Sequence, residues 1–312
     1  MSPIDKSKVQ QERAWWRDRK VAVWGAGLSG ISAAKLLMKL GAKVTLSDSK
    51  PLSELPLAHH LPSQIKTYFG DVNHLDDADV LIPSPGLKPS HPILVDVLNS
   101  NIRVMSEIEL GARVTEARLI AITGTDGKST TTKLISEGLA AQSVWTKAVG
   151  NIGDPICNWA LEAPHDSFLI VEVSAFQLWS TQYLNAEIGV ITNIAEDHYD
   201  YFDGSIQAYR QAKLRLAQLL APNGTLFYPK DQLNPEEIQP RADSASSVLN
   251  LVGYQTPTTP VSTPLLGDHN QRNINVALQI IKRLGFDEAL AIHSYQNFMP
   301  LPYRMTLSLA LN

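Results

Sequence analysis

Ala121-Ile-Thr-Gly-Thr-Asp-Gly-Lys128-Ser-Thr-Thr-Thr132 follows an apolar run that begins at Arg118 and leads through a Gly-rich turn into a helix carrying Lys128. Gly124 and Gly127 let the backbone bend so that its N–H groups and the helix N-terminus face anionic oxygens. Lys128 adds a point charge there, and the Ser129 hydroxyl can ligate Mg²⁺. The spacing is GxxGKS, shorter than the common GxxxxGK[ST] loop, because position 122 is Ile and not Gly. The plainer alternative is a strand-to-helix turn with an exposed lysine. It leaves the packing of hydroxyl residues around two glycines at a helix start without a purpose.

Length and composition bound the rest. At 312 residues, a prior of about 150 residues per domain suggests two domains. The 44% hydrophobic content is enough for two cores. A formal net charge of −4 offers no basic surface for nucleic acid. No stretch approaches the roughly 18 consecutive apolar residues of a membrane span. Residues 1–20 are polar and charged, without the apolar centre of a signal peptide. One cysteine, Cys157, excludes an intrachain disulfide framework and reads as a small buried hydrophobe. A cytoplasmic protein is expected.

Short β-rich runs alternate with helical patterns: Val21 to Trp24, Val44 to Ser47, Val80 to Ile82, Ile102 to Met105, Leu119 to Thr123, Phe168 to Val173, Ile188 to Thr192 and Thr225 to Tyr228. The alternation predicts an α/β fold of mainly parallel sheets covered by helices. A Rossmann-like domain over residues 1–107 and a P-loop-type mononucleotide-binding domain over 108–299 are expected, joined through the helix Ser106 to Glu116. The stretch Pro229 to Pro264 reads as loops and short strands near the far edge of the second sheet. Helices are expected from Ser205 to Leu220 and from about His269 to Leu284, the latter ended by Gly285.

The first glycine turn, Gly25-Ala-Gly27-Leu-Ser-Gly30, follows Val21 to Trp24, and Asp48 closes the next strand. This is a dinucleotide fingerprint, with an acid about 20 residues on that can accept from a ribose or base edge. Alone it fits NAD, FAD or any diphosphate-bearing ligand. Ser84-Pro-Gly86 puts another glycine at a strand C-terminus, where open α/β sheets bind ligands. Farther on, Glu172 ends the apolar run Phe168 to Val173, where a charged carboxylate costs several kcal/mol without a cation or strong donors. A strand-end Glu facing a phosphate turn suggests Mg²⁺; an outward-facing Glu on an edge strand is the alternative. His198, in Thr-Asn193-Ile-Ala-Glu-Asp197-His198, could ligate metal or touch phosphate, although a lone His is more often structural. Lys213, in isolation, reads as solvated.

Together the strings GxGxSG, SPG, TGTxGKST, GNIG (Gly150 to Gly153), EVSAFQL, TNIAEDH, AKLRL (Ala212 to Leu216) and GDHNQRN (Gly267 to Asn273) resemble the Mur ligase family from about Val21 to Arg304. Ser-Pro-Gly with the EVSxFQL stretch points to the member that adds D-glutamate to UDP-N-acetylmuramoyl-L-alanine. The resemblance implies that the first domain holds the UDP moiety. Leu28 and Ser29 would lie near the diphosphate, Asp48, Ser49 and Lys50 near uracil, and Ser84 and Gly86 along the same ligand. ATP would bind through Gly124, Thr125, Gly127, Lys128, Ser129 and Thr130, with Asn270 and Asn273 on the adenine side. One Mg²⁺ would lie between Ser129, Glu172 and the phosphates; a second would use His198 and Lys213, the latter carbamylated. Lys128, His198 and Lys213 are the implied catalytic residues, and Asn151, Ser174, Gln177 and His198 would line the substrate path.

The sequence departs from the family pattern at several places. Asp126 stands where Asn is usual and adds negative charge beside the triphosphate, Ser49-Lys50 replaces Thr-Arg, Ala175 replaces a second Ser, and Tyr303 replaces a His before Arg304. Family members carry a third, C-terminal domain that supplies the amino-acid site, of which residues 300–312 would be the stub. D-glutamate is therefore expected as a partner only when that domain is supplied. A non-catalytic module that binds UDP-sugar or ATP is the competing reading. An NAD-dependent oxidoreductase would leave GTDGKST and Glu172 unexplained.

Overall fold

The computed structural model describes residues 4–70, 75, 77–195, 202, 205–240 and 248–299. The first half places β1 (Lys20–Trp24), β2 (Lys43–Asp48), β3 (Lys66–Phe69), β4 (Val80–Pro83) and β5 (Arg103–Val104) in one sheet of order β3-β2-β1-β4-β5. Every pairing is parallel. The helices here are α1 (Lys6–Trp15), α2 (Leu28–Lys39), α3 (Pro92–Leu98) and α4 (Glu107–Val114). β1 lies beside both β2 and β4, so the strand order reverses there and opens a crevice at the C-terminal ends of β1 and β4.

The second half contributes β6 (Arg118–Thr123), α5 (Lys128–Ala140), β7 (Thr146–Gly150), β8 (Phe168–Glu172), α6 (Ala175–Ser180), β9 (Ala186–Ile191), α7 (Ile206–Leu214), β10 (Leu220–Pro229), β11 (Asn250–Tyr254), α8 (Asp268–Arg283) and α9 (Glu288–Gln296). Its sheet, also parallel throughout, has the order β11-β10-β9-β6-β8-β7. A parallel sheet is covered on both faces, which is why its central strands read as unbroken apolar runs. In β6, Ile120 and Ile122 pack with Leu134, Ile135 and Ile281 from the helices α5 and α8. Leu119 and Ala121 pack on the other face with Leu178, Leu214 and Leu216. The a/d-like spacing of Ile274, Ala277 and Ile281 buries one stripe of α8. Gly285, at φ 84°, ends that helix as expected.

The segment expected to be a plain connector is a wedge shared by both cores. Ile108 and Ala112 of α4 belong to the second sheet's core, and Leu110 and Val114 to the first. Cys157, buried as expected, sits with Ala160 in the first core although both follow β7. Other expectations are corrected. The helix proposed for Ser205 to Leu220 is α-helical only to Leu214; a 3-10 turn covers Arg215–Leu219, and Leu220 already opens β10. The edge strands β3 and β7 were absent from the sequence pattern: β3 is largely solvent-facing, and β7 opens with the half-buried Thr146 and Lys147 and offers only Ala148 and Val149 as an apolar run. β11 lies at the sheet edge inside Pro229 to Pro264, where short strands were expected. Among the described residues, no helix is long and apolar enough to cross a membrane.

Candidate nucleotide and substrate site

The second glycine turn sits at the C-terminal end of the central strand β6, between β8 and β9. Gly127 caps α5 at φ 77°, a left-handed conformation that favours glycine. A methyl there would also come within 2.7 Å of Asn273 Oδ1. At Gly124 the obstacle is harder: a Cβ would lie 1.8 Å from the Thr192 hydroxyl. The N–H groups of Thr125 and Asp126 both donate to Asn193 Oδ1, at 3.0 and 2.8 Å. The first turn of α5 follows directly, and the N–H groups of a helix start have no intrahelical acceptor. Lys128 Nζ donates to the Thr125 carbonyl oxygen at 2.8 Å, so its charge lies over the turn. Ser129 is half-buried and Thr130 buried at the helix start. Asp126 is exposed, so its carboxylate is open to solvent.

Glu172 ends β8 opposite Ile122 in register. It shares the parity of Ile170 and therefore the sheet face that α5 covers. Only 2% of it is exposed, and β8 is flanked by β6 and β7, so the edge-strand alternative is excluded. Asn151 Nδ2 donates to Glu172 Oε1 at 3.0 Å. Oε2 is buried with no hydrogen-bond partner among the described residues. An unpaired buried carboxylate oxygen is costly, and a cation would relieve it. The Ser129 hydroxyl and the Glu172 carboxylate are hard oxygen donors suited to Mg²⁺, which binds through one or two carboxylates plus phosphates. No cluster of three or more His, Cys, Asp or Glu occurs among the described residues. Gly150, at φ 94°, is needed because a Cβ would lie 2.3 Å from the Glu172 carbonyl oxygen.

Lys213 corrects the solvated reading. It is 2% exposed, donates from Nζ to the Gly124 carbonyl oxygen at 2.7 Å and lies over the Tyr209 ring. Its four-carbon stem carries the ammonium from α7 back to the nucleotide turn. His198 lies outside the described residues. Ser174 and Gln177 form a reciprocal capping box at the start of α6. Both are buried, and the Gln177 side chain is engaged by the Ser174 N–H and hydroxyl at 2.9 and 3.1 Å. Their evident work is to stop and restart the chain beside Glu172. Asn273 and Asn270 lie buried on the first turns of α8, against Gly127 in the case of Asn273.

In the first domain, a Cβ on Gly30 would lie 1.8 Å from the Gly25 carbonyl oxygen, so the helix α2 packs tightly on its own turn. Asp48 accepts from the Ala26 N–H at 2.7 Å through Oδ2 and from the Lys50 N–H at 2.9 Å through Oδ1. Its first task is thus to shape the turn; a ligand would have to share those oxygens. Ser49 and Lys50 are exposed beside it, as are Leu28 and Gly86, with Ser29 and Ser84 half-buried. Ser84 N–H donates to the Trp24 carbonyl oxygen at 2.7 Å, which draws the Ser-Pro-Gly segment onto the glycine turn. The geometry brings these residues together at the crevice where the strand order reverses.

Sequence reasoning quoted Thr192 and Asn193 as part of a polar strand end but gave them no role, and it passed over Tyr209, whose hydroxyl meets that of Thr125 at 3.2 Å, and Glu109, which joins the domains. Glu109 is fully buried on α4 and accepts from Arg113 at 2.9 Å and from the Gln182 N–H at 2.6 Å. A polar pair directly after β9 was the available signal for the first group, since strand C-termini line such sites.

Comparison with known proteins agrees with this geometry. Residues 19–106 match the family described as Mur ligase MurD-like, N-terminal domain, and residues 122–249 match the Mur ligase middle domain. UDP-N-acetylmuramoylalanine--D-glutamate ligases from Listeria innocua and Halalkalibacterium halodurans are 33% and 30% identical to the chain; each alignment covers 93% of this chain and 68% of the relative. Among solved structures, the UDP-N-acetylmuramate:L-alanyl-gamma-D-glutamyl-meso-diaminopimelate ligase from Neisseria meningitides aligns at TM-score 0.61 and 17% identity, over 91% of this chain and 99% of that one. MurC from Thermotoga maritima aligns at TM-score 0.53 and 16% identity, over 90% and 68%. These structures share the fold. With two domain matches in order and relatives aligned along nearly all of its length, the chain belongs to the Mur ligase family, the ligases of peptidoglycan synthesis.

Proposed function

We propose that this chain carries the UDP-substrate and ATP sites of a ligase that adds D-glutamate to UDP-N-acetylmuramoyl-L-alanine. The observation that carries the reading is the Glu172 carboxylate, buried with one oxygen unpaired beside a glycine turn that leaves a helix N-terminus open. The switch-point crevice of the first sheet takes the UDP moiety, with Asp48, Ser49 and Lys50 at its uracil end. The substrate carboxylate attacks the ATP γ-phosphorus, ADP leaves, and an acyl phosphate forms. The amine of D-glutamate then attacks the acyl carbon, phosphate departs, and the amide remains. Lys128 and the amides of the first turn of α5 stabilise charge on the phosphoryl oxygens as it develops. Ser129 and Glu172 would hold one Mg²⁺, which supplies further charge neutralisation when bound; Lys213, carbamylated, and His198 would hold a second.

The resemblance places the amino-acid site in a third domain. The test therefore incubates the 312-residue chain with ATP, Mg²⁺ and UDP-N-acetylmuramoyl-L-alanine, traps acyl phosphate with hydroxylamine, and then adds D-glutamate with a separately expressed C-terminal portion of the Listeria innocua relative. The expected result is substrate-dependent hydroxamate from the chain and amide once the portion is added. Hydroxamate formation independent of the UDP-substrate would contradict the assignment. Binding of UDP-substrate and ATP with neither product would favour the module reading.

A further inference from the structure

The chain leaving β9 meets the nucleotide turn residue by residue. Thr192 N–H donates to the Thr123 carbonyl oxygen at 2.8 Å, and the Thr192 hydroxyl faces the carbonyl oxygens of Thr123 and Asp126 at 3.2 and 2.5 Å. Asn193 Oδ1 takes the N–H groups of both Thr125 and Asp126, and the Asn193 carbonyl oxygen takes Thr125 N–H a second time at 3.1 Å. Two N–H donors converging on one side-chain atom identify that atom as the amide oxygen. Ala195 closes the strap by donating to the Thr125 hydroxyl at 3.0 Å. From the far side, the buried Tyr254 hydroxyl holds the carbonyl oxygens of Ile191 and Thr192 at 2.9 and 3.1 Å, so the strap itself has little room to move.

We propose that Asn193 is a positioning residue for the nucleotide reaction. Its amide oxygen draws two successive turn N–H groups inward, which aims the next amides, at the start of α5, toward phosphate and leaves the Asp126 carboxylate in solvent. The proposal rests on the nucleotide reading above. It also accounts for Asn at this place: the acceptor must be strong enough for two donors and must not add charge beside a triphosphate. Asn193 touches no reacting atom in this role; it acts through the turn.

The test uses three forms of the chain: wild type, Asn193→Ala, which removes the acceptor, and Asn193→Asp, which keeps it. Hydrogen exchange read by mass spectrometry over residues 120–130 reports the turn without any nucleotide. Calorimetric titrations report ATP with Mg²⁺ and, as a control of folding, UDP-N-acetylmuramoyl-L-alanine. In Asn193→Ala the Asp126 N–H, which loses its acceptor, should exchange at least about tenfold faster, while Thr125 N–H keeps the carbonyl oxygen of residue 193; ATP affinity should fall about tenfold, the scale of one lost hydrogen bond. Affinity for the UDP-substrate should stay within about twofold, and Asn193→Asp should recover the slow exchange. Unchanged exchange in Asn193→Ala, equally fast exchange in both variants, or ATP affinity held within about twofold would each overturn the proposal. Failure of the wild-type chain to bind ATP would overturn the nucleotide reading and the proposal with it, and that titration shows it before any variant is compared.

Discussion

Replacing Glu109 by Gln keeps the size of the side chain and removes its charge at the junction of the two domains. Glu109 Oε1 accepts from Arg113 Nε at 2.9 Å and faces Arg113 Nη2 at 2.8 Å and Arg103 Nη2 at 3.3 Å. Its Oε2 accepts from the Gln182 and Tyr183 N–H groups at 2.6 and 3.3 Å. Every one of those partners is a donor, so whichever way the Gln amide turns, its NH₂ meets donors. Breaking a buried pair costs about 3–5 kcal/mol. Arg103 is 43% exposed and can turn to water, and Arg113 keeps Glu12 at 3.2 Å, which places the cost near the lower end, about 3 kcal/mol. At roughly 2 cal/mol/K of unfolding entropy per residue, that lowers Tm by about 5 °C if the domains melt together, and by about twice as much if one melts alone. Because Glu109 ties β5 and α4 to the chain after α6, the variant should also split one calorimetric transition into two. A single transition within about 1 °C of wild type would refute the claim that this carboxylate holds the domains together.

Three further outcomes follow from the same geometry. Gly124→Ala, forced toward the Thr192 hydroxyl at 1.8 Å, should lose ATP binding measured by titration while far-ultraviolet circular dichroism stays native; retained affinity would mean that the turn can move aside. Glu172→Gln should raise the Mg²⁺ concentration for half-maximal nucleotide binding about tenfold, since a ligand charge worth about 1–2 kcal/mol is gone, and an unchanged Mg²⁺ requirement would remove Glu172 from the metal. Burial pushes the Glu107 carboxyl up to about 7, against the Cys157 N–H that favours its charged form. A carboxyl raised on folding stabilises most below its unfolded value near 4.5, so stability should fall as pH rises toward about 7 by around 3 kcal/mol. Glu107→Gln should flatten that slope in urea melts taken between pH 5 and 8, and an unaltered slope would assign it to other groups.

The α/β class and the two glycine turns were legible in the sequence because parallel strands buried on both faces leave continuous apolar runs and because left-handed turns need glycine. Gly25, Gly124 and Gly127 all have positive φ. The edge strand β3 was not legible, since Lys66–Phe69 is mostly exposed and carries no apolar period, whereas the edge strand β5 was read from Ile102 to Met105. At the site, Glu172 could be read from charge set in an apolar strand, since burial without compensation is expensive. Lys213 was placed at the site only by the resemblance, because its helix shows nothing of the turn its ammonium reaches, and a lysine on a short helix looks the same when solvated. Ser174 and Gln177, expected on the substrate path by resemblance, also cap α6, a local task that the sequence did not show. Asn193 was quoted within TNIAEDH without a role, because its work lies in two backbone N–H groups far along the chain, and backbone contacts leave no mark on composition. Glu109 escaped notice for a related reason, since its partners sit on three separate segments.

The central claim is that one chain holds two separate ligand sites, a UDP-sugar crevice in the first sheet and an ATP turn in the second. Isothermal titration of wild type and Lys128→Ala with UDP-N-acetylmuramoyl-L-alanine and with ATP in Mg²⁺ tests it most directly. The account predicts that wild type binds both, and that Lys128→Ala loses ATP binding while its affinity for the UDP-substrate stays within about twofold. Unchanged ATP affinity in Lys128→Ala, or no binding of the UDP-substrate by wild type, would contradict it.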